Sequence, residues 1–380
     1  MAASPGPGWS AWLVEQAAAR RTAGLERSLR PRAADDTTLD LAGNDYLGLA
    51  RDPRVTAAAA EAARVWGAGS GASRLVTGTL DLHASLEGAL AAYLDQPAAL
   101  CFSTGYHANL GLVAALADRD TLVVSDAHIH ASLIDAVRLS RASLAVVPHN
   151  DVEAVRRAVT GGVGAGQRIL VLAESVYSVL GDAAPLVELA ETCEAAGALL
   201  VVDEAHGVGV HGPGLVHAAG LAWQPHVVVT ATLSKSLGSQ GGAVLGAPAI
   251  IEHLVNTARP FIFDTGLAPA AAAGALAALE VLVAEPGLPG VVQARVADLA
   301  AALGVPPSVG AVLSVPMPSP QAAVAAQAAA ADQGVRVGCF RPPSVPDGIS
   351  RLRITVNAGL SNEEWSRAVE VLVAVAKEHQ

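Results

Sequence analysis

The stretch 198–242 opens with ALLVVDEAHGVGV (198–210) and closes with HVVVTATLSKSLGSQGG (226–242). Each half is a short apolar run leading to a residue able to do chemistry: Asp203 ends the first, and Lys235 lies just past the second. Runs of roughly four to eight apolar residues between turn residues read as strands buried on both faces. Outward from this stretch the pattern repeats in AALCFS (98–103), TLVVSDA (121–127), SLAVVPH (143–149), RILVLAES (168–175) and GAVLGAP (242–248). Seven such runs, separated by segments of crossover length, predict an α/β fold with a mostly parallel seven-stranded sheet covered by helices. Sheets of this kind bind ligands beyond the carboxyl ends of their strands. Chemistry is therefore expected at Ser103, Asp126, His149, Glu174, Asp203 and Lys235.

The flanks read differently. Residues 9–30, with Trp9, Trp12 and Leu13 followed by Arg20, Arg21, Arg27 and Arg30, predict an amphipathic helix that Pro31 stops. Beyond Pro260 come long Ala-rich helices, then the strand-like SVGAVLSVPMP (308–318), VRVGCF (335–340) and RLRITVN (351–357), and a last helix from Asn362. The expected organisation is a helical arm over 1–40, a large domain over 41–270 and a smaller α+β domain over 271–380, in keeping with a chain too long for one ordinary domain.

Composition narrows the function classes. The chain is 52% apolar but only 3% aromatic, so its core must be built from Ala, Val and Leu. A net charge of −11 without a long Lys/Arg run argues against a nucleic-acid or anionic-membrane surface. Cys101, Cys193 and Cys339 are far apart and lack CxxC spacing, as reduced thiols in a cytoplasm would be. Pro269 and Glu280 interrupt the apolar stretch after Asp264 before it reaches the roughly 20 residues of a membrane span. The N-terminus has no basic region followed by an apolar one, so neither secretion nor anchoring is expected.

Lys235 is flanked by Thr232, Ser234 and Ser236 and followed by glycines, which let an anion approach the backbone. A lysine held partly out of water loses its proton more readily and can form a Schiff base. Alone it reads better as an exposed lysine after a strand, and the T-x-x-K string that mimics an acylating motif is too short to weigh. Asp203, at the end of another buried strand, could salt-bridge a protonated pyridine nitrogen, and His206 could hydrogen-bond the phenolic oxygen of the same ring. The DEAH string also occurs in helicases, but no GxxxxGK[ST] phosphate loop accompanies it. In CFSTGYHANLG (101–111), Thr104, Gly105 and Tyr106 open a helix whose N-terminus favours an anion. His128 and His130 end the next strand; one imidazole could lie on a cofactor ring, whereas as metal ligands the pair lacks companions, and no metal is expected. GAGSGAS (67–73) follows no clear strand and reads as a flexible active-site or interface loop rather than a dinucleotide fingerprint.

Taken together these motifs resemble the α-oxoamine synthases, pyridoxal-phosphate enzymes of fold-type I. NDYLGLA (44–50), GSGASRLVTGT (69–79), LHASLE (82–87), STGYHANLG, HASLIDA, PHNDV (148–152), ESVYSVLGDAAPL (174–186), VDEAHGVGV, TLSKSLGSQGG and RPPSVP with RLRIT occur in the family's order and cover nearly the whole chain. FRPPSVPDG (340–348) and ARPFIFDTGLAP (258–269) resemble the biotin branch more than the glycine-using branches. Thr104 stands where many members carry Ser, and Ser344 where many carry Thr; both keep a hydroxyl. The resemblance implies pyridoxal 5'-phosphate on Lys235, paired with Asp203 and His206 and covered by His130, with Thr104, Gly105, Tyr106, Ser178 and Thr232 as further cofactor contacts. It implies Asn44, Arg353 and Thr355 near the amino-acid carboxylate, and Arg27 for the carboxylate of the acyl group. The implied substrates are L-alanine and a pimeloyl thioester, on coenzyme A or on acyl carrier protein, in a homodimer with interfacial active sites. Glycine-using relatives and a non-catalytic partner chain are the rival expectations.

Overall fold

The structure, a computed structural model, describes residues 6–23, 25–27, 29–342, 345 and 347–379. Ser344 lies outside them. The chain forms two compact units, one ending at Thr38 and one beginning at Leu39.

In the first unit the helix spans Pro7–Thr22, with Pro at its first position and Arg20 and Arg21 in its last turn. It ends well before Pro31, because Ala23 N donates to Ala19 O and Leu25 N to Arg20 O, bonds that close a helix end. Trp9 and Trp12 meet edge to face at 5.6 Å on an exposed surface.

Among the described residues the second unit contains two sheets. The smaller has strands β1 (Leu39–Leu41), β9 (Val312–Pro316), β10 (Val335–Phe340) and β11 (Arg351–Thr355); the larger has β2 (Ala98–Phe102), β3 (Thr121–Asp126), β4 (Ser143–Val147), β5 (Arg168–Glu174), β6 (Leu199–Asp203), β7 (Val227–Thr232) and β8 (Gly242–Gly246). All seven apolar runs became strands of the larger sheet, in the order β2-β8-β7-β6-β5-β3-β4. Only β8 runs against its neighbours, which sets Gly242 beside both Phe102 and Thr232. Helices cover both faces, and Leu200, Val201, Val202, Val228 and Val244 have no exposed surface. That double coverage is why these strands are apolar runs rather than alternating ones.

The smaller sheet has the order β1-β10-β11-β9. Its short edge strand β1 pairs parallel to β10, Leu39 opposite Val335, and so joins residues some three hundred apart in sequence, a pairing no local pattern signals. The helix Pro320–Asp332, between β9 and β10, also escaped the sequence reading. The Ala-rich segment after Asp264 is the helix Pro269–Ala284, largely buried; among the described residues no single helix is long and apolar enough to cross a membrane. GAGSGAS is irregular but tied down: Ser70 Oγ donates to Leu267 O at 2.7 Å, and Gly266 N to Ala72 O.

Candidate active site

Strands β5, β6 and β7 end side by side, with Glu174 opposite Asp203 in register, and the helix Gly105–Leu116 starts beside them. Between these ends lies a cavity of about 250 Å³ lined by Thr104, Gly105, Asn109, Glu174, Asp203 and Lys235, with His130, His206 and Thr232 also on its wall. Ligand pockets of drug-sized molecules run from roughly 300 Å³ upward, so this volume suits a small cofactor.

Lys235 is one of only two lysines in the chain; the other, Lys377, is exposed at the end of the last helix. Burial lowers the pKa of Lys235 below 10.5, with Arg353 adding to the effect and the carboxylates of Asp203 and Glu174 opposing it. More of it is therefore free amine, the nucleophilic form. Asp203 is 5% exposed, and each oxygen accepts one bond, Oδ1 from Ala205 N at 2.9 Å and Oδ2 from Asn109 Nδ2 at 2.8 Å, which leaves lone pairs for a further donor. Glu204 and Gly207 of the same motif are structural. Glu204 is buried, which pushes its pKa to about 7, and it accepts from Ser175 Oγ and Val216 N at 2.6 Å each. A Cβ on Gly207 would stand 1.8 Å from Glu204 Oε2, so only glycine fits there.

His206 is buried, and burial holds its pKa well below 6.5, helped by the charges of Lys235 and Arg353. Its Nδ1 lies 2.7 Å from Tyr46 Oη, which also reaches Asn44 Oδ1 at 3.0 Å. Arg353 donates from Nη2 to the same Asn44 oxygen at 3.2 Å and from Nε to Ser178 O at 2.8 Å. The fold thus joins Asn44, His206 and Arg353, expected separately from sequence, through Tyr46, which sequence reasoning left out. Its signal was present in NDYLGLA: Tyr46 has no exposed surface, and burial raises its phenol to about 12, so it stays a hydrogen-bonding group.

The opposite wall is shaped for an anion. Thr104 caps the helix Gly105–Leu116 by accepting from His107 N at 3.0 Å, and the first-turn N–H groups of Gly105 and Tyr106 have no intrahelical acceptor. A Cβ on Gly105 would meet Thr232 at 3.0 Å, and one on Gly242 would meet Gly105 Cα at 2.5 Å; the two glycines keep this corner open. Thr232 Oγ1 and Ser234 Oγ lie 2.7 Å apart beside it. Tyr106, expected on this side, lines the cavity while its hydroxyl donates to Asp135 Oδ2 at 2.6 Å.

Three wall atoms, Asn109 Oδ1, Glu174 Oε1 and Thr230 Oγ1, are buried without a partner. Folded proteins rarely leave such atoms unpaired, so the cavity fits a polar occupant. A ring with a basic nitrogen, a phenolic oxygen, an aldehyde and a phosphate would meet Asp203, His206, Lys235 and the Gly105 corner in turn, so pyridoxal phosphate fits the donor set. Asn109 was missed as a site residue, whereas Glu174 was expected as a strand-end position without an assigned role. Burial and the neighbouring Asp203 charge raise its pKa well above 4.5, and it accepts from the backbone N–H groups of His130 and Ser178.

Other expected positions fall elsewhere. Ser103 bonds to His107 Nδ1 at 2.7 Å and to Asp264. Thr355 is buried in β11, two residues beyond Arg353. Arg27 belongs to the first unit. Asp126 and His149 leave the cavity to form a clamp: His149 bonds through Nδ1 to Asp126 at 2.9 Å and through Nε2 to Asp182 at 2.7 Å. The expectation that His128 lacks companions fails, since its donor atoms lie within 4.8 Å of those of Asp126 and His149. A carboxylate on each nitrogen, however, is the setting of a protonated imidazole.

Burial by itself would lower the pKa of His149, but the hydrogen bonds to Asp126 and Asp182 outweigh it and the value is raised above 6.5. Folding therefore favours the protonated form: the clamp's stabilisation is full below the unfolded pKa and fades as pH rises through the folded one. Between about pH 6 and pH 8 the Tm of the native protein should fall more steeply than that of His149→Gln. Parallel slopes in thermal melts would refute the clamp.

The sequence profile for aminotransferase class I and II matches residues 36–372. The chain is 54% identical over 370 residues to an 8-amino-7-oxononanoate synthase of Mycolicibacterium gilvum, covering 96% of this chain and 97% of that one. It is 53% identical to an 8-amino-7-oxononanoate synthase of Mycolicibacterium smegmatis, covering 96% of each. Among solved structures it is similar to the serine palmitoyltransferase of Sphingomonas wittichii, with a TM-score of 0.88 and 29% identity over 99% of both chains.

Proposed function

Since the chain belongs to the aminotransferase class I and II family, we propose that it is a pyridoxal-phosphate-dependent acyltransferase catalysing the 8-amino-7-oxononanoate synthase reaction of biotin biosynthesis. L-alanine and a pimeloyl thioester are joined between the alanine Cα and the thioester carbonyl, and carbon dioxide and the free thiol carrier leave. The observation that carries this reading is the convergence of Lys235, Asp203 and His206 on one cavity, in a chain so close to relatives of that name.

When bound, pyridoxal phosphate supplies an aldehyde for an amine and a ring that accepts electrons from the carbon next to it. The chain's residues do the rest. Lys235 would hold the cofactor through its amine and, as a free amine, would take the alanine Cα proton as general base. Asp203 would pair with the ring nitrogen and favour its protonated form. Tyr46 Oη donates to Asn44 Oδ1 and can accept from His206 Nδ1–H, which would fix the orientation of the imidazole that meets the ring oxygen. Thr104, Gly105, Tyr106 and Thr232 hold the phosphate. His130 would cover the ring, and Ser178, whose carbonyl accepts from Arg353 Nε, would contribute on the cofactor side.

Arg353 holds the alanine carboxylate until it departs as carbon dioxide. Two of its five N–H donors are used by Ser178 O and Asn44, which fixes the guanidinium in place and leaves donors for a carboxylate. Arg353→Ala should raise KM for alanine by about 10- to 100-fold, the value of a charge-assisted hydrogen bond or two. Arg353→Lys should recover little of it, because lysine lacks the fork that reaches both acceptors. An unchanged KM for alanine in either variant refutes the assignment.

Thr355 is assigned near the substrate and Arg27 to the distal carboxylate of the pimeloyl group. Exposed Trp66, Leu75 and Val76 support a homodimer, in which such side chains would be covered by a second copy, and the absence of CxxC spacing fits a cytoplasmic enzyme. Product mass spectrometry with alanine and the pimeloyl thioester on either carrier tests the proposal. The 8-amino-7-oxononanoate mass is expected; product only from glycine or serine with another acyl thioester would overturn it.

A further inference from the structure

One pair of residues at the cavity has no part in the roles above. Asn109, 3% exposed, spends both amide hydrogens: Nδ2 lies 2.8 Å from Asp203 Oδ2 and 2.8 Å from Ser132 Oγ. Ser132 is fully buried, and its Oγ lies 2.8 Å from His130 Nδ1. The amide orientation follows from its partners, because the flipped form would set Asn109 Oδ1 against a carboxylate oxygen; as placed, that Oδ1 has no partner. With one lone pair of Ser132 taken by Asn109, its hydroxyl proton is free for His130 Nδ1. The backbone N–H of Ser132 points at the same nitrogen, 3.3 Å away, with His130 as the N-cap of the helix Ala131–Ser140. A nitrogen facing two donors must offer a lone pair.

We propose that Asn109 and Ser132 are positioning residues that hold His130 as the neutral imidazole protonated on Nε2 and set it in a fixed relation to the carboxylate of Asp203. The inference rests on the reading that His130 covers a ring whose nitrogen Asp203 keeps protonated. An imidazolium over that cationic ring would place like charges in contact, so a stacking histidine there has to be neutral. The single nitrogen of Asn109 ties the two requirements together, since it bonds the carboxylate that makes the ring cationic and the serine that keeps the imidazole uncharged. The surroundings agree. Burial lowers the pKa of His130 and Lys235 adds to this, while Asp203 opposes it; its backbone N–H is held by Glu174.

The test is nitrogen NMR of the histidine rings in apo-protein, with His130 assigned among the 11 histidines by its loss in His130→Gln. The native protein should show Nε2–H with Nδ1 bare across the neutral range. Ser132→Ala should mix the tautomers and move the His130 pKa upward by about one unit, towards an unperturbed imidazole, and Ser132→Thr should restore the native signals. In titrations of apo-protein with pyridoxal phosphate, Ser132→Ala should bind about tenfold more weakly, the value of one hydrogen bond. Asn109→Ala should reproduce both changes; if it does not fold, Ser132→Ala and Ser132→Thr decide alone. A native Nδ1–H tautomer, or His130 signals that Ser132→Ala leaves unmoved, overturns the proposal. Failure of the alanine and pimeloyl assay alone would strike the proposed reaction and not this tautomer, because the NMR readout needs neither substrate nor turnover.

Discussion

Lys235→Ala is expected to abolish the visible absorbance of lysine-linked pyridoxal phosphate and to lower turnover by at least about 10³-fold, since one side chain acts as both tether and base. The experiment is unusually clean in this chain. Only Lys377 could substitute, and it is exposed near the end of the last helix, whereas Lys235 lines the cavity with Asp203 and Glu174 close enough to act on its charge. Lys235→Arg separates charge from chemistry: arginine remains protonated and cannot attack an aldehyde, so it should fail as completely as alanine does. Cofactor should still bind both variants, because Asp203, His206 and the Gly105 corner are untouched, and should wash out on dialysis where the native protein retains it. Visible absorbance that survives in Lys235→Ala would place the attachment elsewhere.

The larger sheet was legible because its strands are buried on both faces, which writes each one into the sequence as an unbroken apolar run ending on a polar residue. Glu174, Asp203 and Lys235 were legible for the same reason: the carboxyl ends of parallel strands collect chemistry. Asp126 and His149 obey the same local rule yet belong to a clamp, at the ends of β3 and of its edge neighbour β4. Long-range pairings were not readable. The strand β1 meets β10 across most of the chain, and Tyr46, in the turn after β1, reaches His206 from 160 residues away. Asn109 was hidden differently, since a buried asparagine on an apolar helix face has no periodic signature until Asp203 and Ser132 are seen on either side of it. The N-terminal helix was read as too long because its arginines continue an amphipathic pattern past the backbone bonds that end it at Thr22.

Asp203→Asn should leave the fold intact and cut kcat by about 10²–10³-fold, the range found when a buried charge partner or a preorganised electrostatic contact is removed. Asparagine keeps the size of the side chain but cannot hold a proton on a ring nitrogen by ion pairing, and it introduces a second conflict. Both carboxylate oxygens of Asp203 now accept, one from Ala205 N and one from Asn109 Nδ2, so the new amide nitrogen must face one of these donors. The loss should appear before the acyl substrate is involved. Exchange of the alanine Cα proton with deuterated water, followed by proton NMR without thioester, should slow by a similar factor, since that exchange needs the ring as electron acceptor but not the condensation. Asp203→Glu restores the charge and should recover part of the exchange rate, limited by a longer arm that displaces Asn109. If Asp203→Asn exchanged the Cα proton at the native rate, the carboxylate would be a strand-end structural group, and the ring would draw its charge from another source.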